Sequence, residues 1–273
     1  IIQRGILSPR RLPEGVIGMR KISLDRLEEL FAAIAAEMSL YLPVDTKAGA
    51  RFDKWESGKT LSESLNTVRS AKDFYFPQTE NLMDFKVEGK NIEVIDTRSE
   101  SENFAVFGVR ACDVKSFEVL DRVFLSEPVD TYYKNRREHG VIISLACEKP
   151  AETCFCKTFG IDAAQPEGDI VCHKTADALY LDAKSEKGEA LLKSVESVTE
   201  DADEAPVEEQ KKLIRERYSK LPFAKLSADK FGAGKTAEFF DDPAWKELSE
   251  SCLGCGTCTF VCPTCQCYDI QEF

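Results

Sequence analysis

FAVFGVRACDVKSFEVLDRVFL (residues 104–125) and VIISLAC (residues 141–147) are the stretches that set the architecture. The runs at 104–109 and 141–146 are continuously apolar rather than alternating, the pattern of strands buried on both faces. Between them Val114, Phe117, Val119, Leu120, Val123 and Phe124 recur at helical spacing, with Asp113 placed to cap a helix over 114–125. Strand, helix and strand in this order predict a parallel βαβ crossover. The expected fold class is α/β.

Upstream, Leu24, Leu27, Leu30, Phe31, Ile34 and Met38 form one apolar face of a helix expected over 24–40, with Ser23 as its N-cap. Short strands follow at 41–44 and 51–55, and the alternation at 85–96 around Glu88 and Gly89 reads as a hairpin. Downstream come strands at 169–173 and 178–182, a helix at 186–195, an acidic stretch at 200–209, and a helix opening at Pro243 behind Asp242. The expected organisation is an α/β domain over 19–199, a charged linker and helix over 200–241, and a ferredoxin-like iron-sulfur segment over 242–273. Met19 opens a natural domain start, so residues 1–18 are expected to be an extension foreign to the native chain. An intact-mass measurement that finds them in native protein would reject this.

The chain has 273 residues, 48 acidic against 36 basic, for a net charge of −12. Such a surface repels nucleic acid and anionic membranes, and neither is an expected partner. There is no apolar run of membrane-spanning length and no secretory pattern, so the expected location is cytoplasmic.

Eleven cysteines cluster in a way that suits metal rather than a disulfide framework. In CLGCGTCTFVCPTCQC (residues 252–267), Cys252, Cys255, Cys258 and Cys262 are separated by two, two and three residues, and Pro263 follows. This is the spacing of bacterial ferredoxins. A short loop lets three thiolates reach three irons of one cubane, and Gly254 and Gly256 let backbone amides approach its sulfurs. Four thiolates also satisfy tetrahedral zinc, although zinc sites normally pair CxxC knuckles across a longer loop. Cys265 and Cys267 could supply a further ligand or pack beneath the loop.

A second set follows from the fold. Cys112 and Cys147 each follow a predicted parallel strand, so both fall at the carboxyl edge where open α/β sheets bind ligands. Cys154 and Cys156, in CEKPAETCFC, lie on the loop leaving that edge. Each alone is an ordinary core cysteine, but four converging thiolates make a second 4Fe-4S site a candidate. FGAGKT (residues 231–236) imitates the end of a phosphate loop but lacks its first glycine and its strand. His139 and His173 have no local partner pattern.

Taken together, FPQTE (residues 76–80), the motif around Cys112, DTYYKNRRE (residues 130–138), CFC (residues 154–156) and the terminal cysteine run make the chain resemble a family. It is that of the beta subunit of cytoplasmic sulfhydrogenases and its counterpart in anaerobic sulfite reductase. The resemblance runs from Met19 to the end. It implies an iron-sulfur electron carrier between a flavin subunit that handles NAD(P)H and a catalytic hydrogenase or sulfite/sulfur reductase subunit. It also implies that Cys252, Cys255 and Cys258 hold one cluster while Cys262 serves a neighbour held by a second cysteine-rich run. That run is absent before Phe273, so the chain is expected to be truncated, its first cluster drawing on Cys265, Cys267 or an outside ligand.

Three functions follow. The first is an electron-transfer subunit with no bond-making chemistry of its own. The second is a self-contained reductase with substrate at the Cys112 and Cys147 edge, and the third is a zinc-stabilised interaction module.

Overall fold

The computed structural model describes residues 18–64, 66–100, 102–231, 234–268 and 270. The expected extension therefore lies outside the described residues except for Gly18, as do Gly232 and Ala233 of FGAGKT.

The chain runs β1 (Arg20–Ser23), α1 (Leu27–Glu37), β2 (Ser39–Thr46), β3 (Gly49–Lys54), β4 (Met83–Glu88), β5 (Asn91–Asp96), β6 (Phe104–Val109) and α2 (Ala111–Phe124). It continues through α3 (Thr131–His139), β7 (Gly140–Leu145), β8 (Ile170–Lys174), β9 (Ala178–Ala183), α4 (Glu186–Ser194), β10 (Glu200–Asp201), α5 (Ala205–Ser219), α6 (Ala244–Ser249) and α7 (Thr257–Val261). Eight strands form one mixed sheet in the order β10-β1-β9-β8-β7-β6-β2-β3, and β4 with β5 makes a separate hairpin. The centre of the sheet is parallel (β2, β6, β7, β8), and both ends are antiparallel. The crossover between β6 and β7 is the expected parallel one, with Phe104 opposite Gly140.

Burial on both faces explains the continuous apolar runs. Ala105 and Phe107 of β6, with Val141 and Ile143 of β7, pack against Leu30, Phe31 and Ile34 of α1 and Leu191 and Leu192 of α4. Val106 and Ile142 face the other way, onto Val114, Phe117, Leu120 and Phe124 of α2 and Tyr133 of α3. The result is three layers, helices on either side of the sheet.

Strict alternation would place Val109 on the Phe107 side, yet it joins the α2 core. The register between β6 and β7 shifts between Phe107 and Val109, where Gly108 has φ +83°. A Cβ there would come within 3.1 Å of Pro43 Cδ. This bulge turns the end of β6 and sets the direction in which Arg110, Ala111 and Cys112 leave the sheet.

Four local expectations are corrected. The helix expected over 24–40 is a 3-10 turn (Leu24–Arg26) followed by α1, and it ends at Glu37 because Met38 is extended (φ −158°, ψ 165°) and Ser39 already pairs in β2. Ser23 ends a strand, and its hydroxyl bonds Asp25 rather than a helix amide. The second helix starts at Ala111 behind Arg110, so Asp113 sits inside the first turn rather than capping it. The acidic stretch at 200–209 holds β10, which pairs with β1, and the start of α5, whose Val207 and Ile214 are fully buried.

Candidate metal centre

Two groups of thiols occupy different parts of the chain. The first lies at the carboxyl ends of β6 and β7. Cys112 is the second residue of α2, in the first turn. Cys147 follows β7, its amide bonded to Ala163 O at 2.9 Å, while the Ala146 amide bonds Cys172 O at 2.9 Å. Cys154 and Cys156 come from the next loop. It is shaped by the bond from the Cys154 amide to Ala151 O (3.0 Å) and by a 3-10 turn (Cys156–Phe159) that ends on left-handed Gly160. Cys147, Cys154 and Cys156 share one apolar cluster with Ala146, Ala163, Ala164, Ile214, Tyr218 and Leu221.

The electrostatics bind these four together. Cys112 and Cys156 interact as a thiol pair. The interaction drives the Cys112 thiol well above its ordinary range and lowers Cys156 to about 7. Burial pushes Cys147 up against a hydrogen bond from Tyr218 that lowers it, and burial also raises Cys154. Burial, then the neighbouring Cys147, raises the Tyr218 phenol beyond any working pH. Cys112 is exposed, Cys154 and Cys156 are half-buried, and Cys147 is buried. Cys172 belongs elsewhere, fully buried in the core under α1 and α4.

The terminal run is arranged differently. Cys252, Cys255, Cys258 and Cys267 are exposed, while Cys262 and Cys265 are half-buried. Gly254 and Gly256 have φ of +68° and +70°, conformations glycine adopts without strain. The Gly254 amide points at Cys252 Sγ (3.4 Å), the kind of amide-to-sulfur contact that the spacing implies. Threonines serve two thiols, Thr257 Oγ1 lying 3.3 Å from Cys255 Sγ and Thr264 Oγ1 3.2 Å from Cys262 Sγ. Hydrogen bonding to Thr257 lowers Cys255. Cys262 is lowered because hydrogen bonds, from Thr264 and then Cys265, outweigh its burial, and Cys265 is raised by the same thiol pair. No thiol hydrogen bond joins Cys252, Cys255 and Cys258 to one another among the described residues.

Three contacts dock this run on the α/β domain. Lys72 Nζ donates to Cys262 O (2.7 Å) and Cys265 O (3.0 Å), the Arg69 guanidinium stacks over Phe260 (4.6 Å), and Phe76 meets the Tyr268 ring edge (6.3 Å). Tyr218 and Lys72 were both missed in the sequence. The heptad-like recurrence of Val207, Ile214 and Tyr218 could have revealed the buried face of α5, but nothing local marks Lys72. The two histidines are packed, His173 Nε2 against Ala164 O and His139 Nδ1 against Asn135 O, both at 2.8 Å.

The donor set can be tested for fit. Among the described residues no three His, Cys, Asp or Glu side chains are arranged to hold a single metal ion. The ligand thiolates of a cubane stand farther apart than those of one ion, because each binds a different iron. Three thiols within an apolar cluster with Cys112 beside them, and a glycine-relieved loop with an amide aimed at sulfur, suit that wider group.

Fold and site together define a three-layer α/β protein that gathers thiols at the carboxyl edge of its parallel strands and carries a separate thiol-rich run docked on the same domain. No family model and no solved structure matches the chain. Sulfhydrogenase 2 subunit beta of Pyrococcus furiosus is 31% identical over 254 residues, covering 92% of this chain and 73% of that protein. The chain belongs to the sulfhydrogenase beta subunit family. No helix among the described residues is long and apolar enough to cross a membrane.

Proposed function

We propose that the chain is an iron-sulfur electron-transfer subunit of a multi-subunit oxidoreductase, relaying electrons between a flavin subunit that handles NAD(P)H and a hydrogenase or sulfur-reducing subunit. The observation that carries this reading is that Cys147, Cys154 and Cys156 share one apolar cluster, with Cys112 at its exposed edge interacting with Cys156 and Cys147. Membership of a family whose curated relative is named as one subunit of a larger enzyme supports the partners.

Cys112, Cys147, Cys154 and Cys156 would hold one 4Fe-4S cluster. Cys252, Cys255 and Cys258, with Cys262, Cys265 or Cys267, would hold another. A bound cluster supplies one-electron reduction and oxidation. The chain's part is to fix the thiolates, to keep water from Cys147 through Ile214 and Tyr218, and to direct amides and hydroxyls at the sulfurs, which sets the potential.

The test is anaerobic purification followed by redox assay. A brown protein absorbing near roughly 400 nm, bleached by dithionite and recolouring as it passes electrons to oxidised partner protein, is the expected result. Sustained reduction of a sulfur compound by the isolated chain with an artificial donor would replace this reading with the self-contained reductase. Colourless zinc protein would replace it with the interaction module.

A further inference from the structure

Lys72 lies in a 3-10 turn (Ala71–Phe74) and is 6% exposed, yet no carboxylate lies within ion-pair distance of it among the described residues. Its ammonium instead donates to the carbonyls of Cys262 and Cys265, at 2.7 and 3.0 Å. An ammonium removed from water without a counter-ion is strongly unfavourable, so a buried lysine normally has an anion nearby. The neighbouring Arg69 does not share its situation, being neutralised by Asp73 at 2.6 Å. Lys72 is therefore the uncompensated charge where the cysteine run meets the domain.

The groups it faces are two thiol residues of that run. A cubane with four thiolate ligands is anionic, and becomes more so when it takes up an electron. We propose that Lys72 is the counter-cation of the terminal cluster. It fixes the Cys262–Cys265 turn through two carbonyls and holds the cluster's reduction potential up by stabilising the more negative, reduced form. This rests on the iron-sulfur reading of the run. The mechanism is electrostatic and acts at short range in a poorly screened setting.

The full chain carrying Cys154→Ser and Cys156→Ser leaves the terminal run as the one loaded site, and its potential is read by a dithionite titration followed by electron paramagnetic resonance. Lys72→Gln keeps a donor for the carbonyls but removes the charge, and is expected to lower the potential. Lys72→Arg keeps the charge and is expected to return it towards the parent value. A Lys72→Gln protein with the parent potential overturns the proposal. Should Lys72→Gln take up no iron, loading restored by Lys72→Arg supports a charge requirement, and loading absent from both overturns it. A parent chain that holds no iron in this run sinks the iron-sulfur reading itself, which is distinguishable from an unchanged potential in a loaded protein.

Discussion

Tyr218 on α5 and Cys147 at the end of β7 pack in one buried cluster, where the phenol lowers the thiol against the burial that raises it. A helix from the most charged part of the chain thus closes the thiol group that the central strands open. Ile214, one turn earlier and fully buried, seats that helix on Ala146 and Ala164.

Tyr218→Phe removes the hydroxyl and keeps the ring. The apo chain is expected to lose up to about 1 kcal/mol of stability, the usual worth of a polar contact to a buried group, in urea unfolding. Iron content should be retained. Unchanged stability would mean that the phenol bonds solvent instead.

The Cys112 and Cys156 pair gives a pH signature in the apo chain. The thiol pair lowers Cys156 to about 7 from an ordinary 9.0. Below that value Cys156 is protonated and slow to react, and above it the thiolate is exposed to alkylation. Iodoacetamide labelling followed by peptide mass spectrometry should show a Cys156 rate rising with a midpoint near 7. Cys112→Ala removes the donor, and the midpoint should move up towards 9.0. A midpoint that stays put would dissociate the two thiols.

Gly188 on α4 tests the packing of the other face. A Cβ there would fall 2.0 Å from the backbone carbonyl oxygen of Asp169, which has no room to yield. Gly188→Ala should destabilise the fold by at least ~2 kcal/mol, at the upper end of overpacking penalties, in thermal or urea unfolding. A stability equal to the parent would mean that α4 does not sit this close to the strand.

The parts of this fold that were legible are those whose signal is local. β6 and β7 announced themselves because both faces are buried, and the carboxyl-edge rule then placed Cys112 and Cys147 together. The hairpin was legible from alternation alone, as β4 and β5 pair from Met83 opposite Asp96 to Glu88 opposite Asn91. β1 was not. Its four residues owe their conformation to strands far along the chain, with Arg20 bonded to Thr199 Oγ1 (3.1 Å) and Asp201 Oδ1 (2.6 Å). The stretch read as an acidic linker was misleading for the opposite reason. Its charges line the outside of a helix whose inner face carries few but fully buried apolar residues. Lys72 had no sequence signal at all, since its role exists only once the cysteine run docks.

Both thiol groups are expected to hold iron. The most direct measurement is iron and acid-labile sulfide per chain in anaerobically purified protein, compared with Cys154→Ser, Cys156→Ser protein prepared identically. Two cubanes predict roughly eight of each in the parent and about half in the variant. The same content in both, or zinc without sulfide, would contradict it.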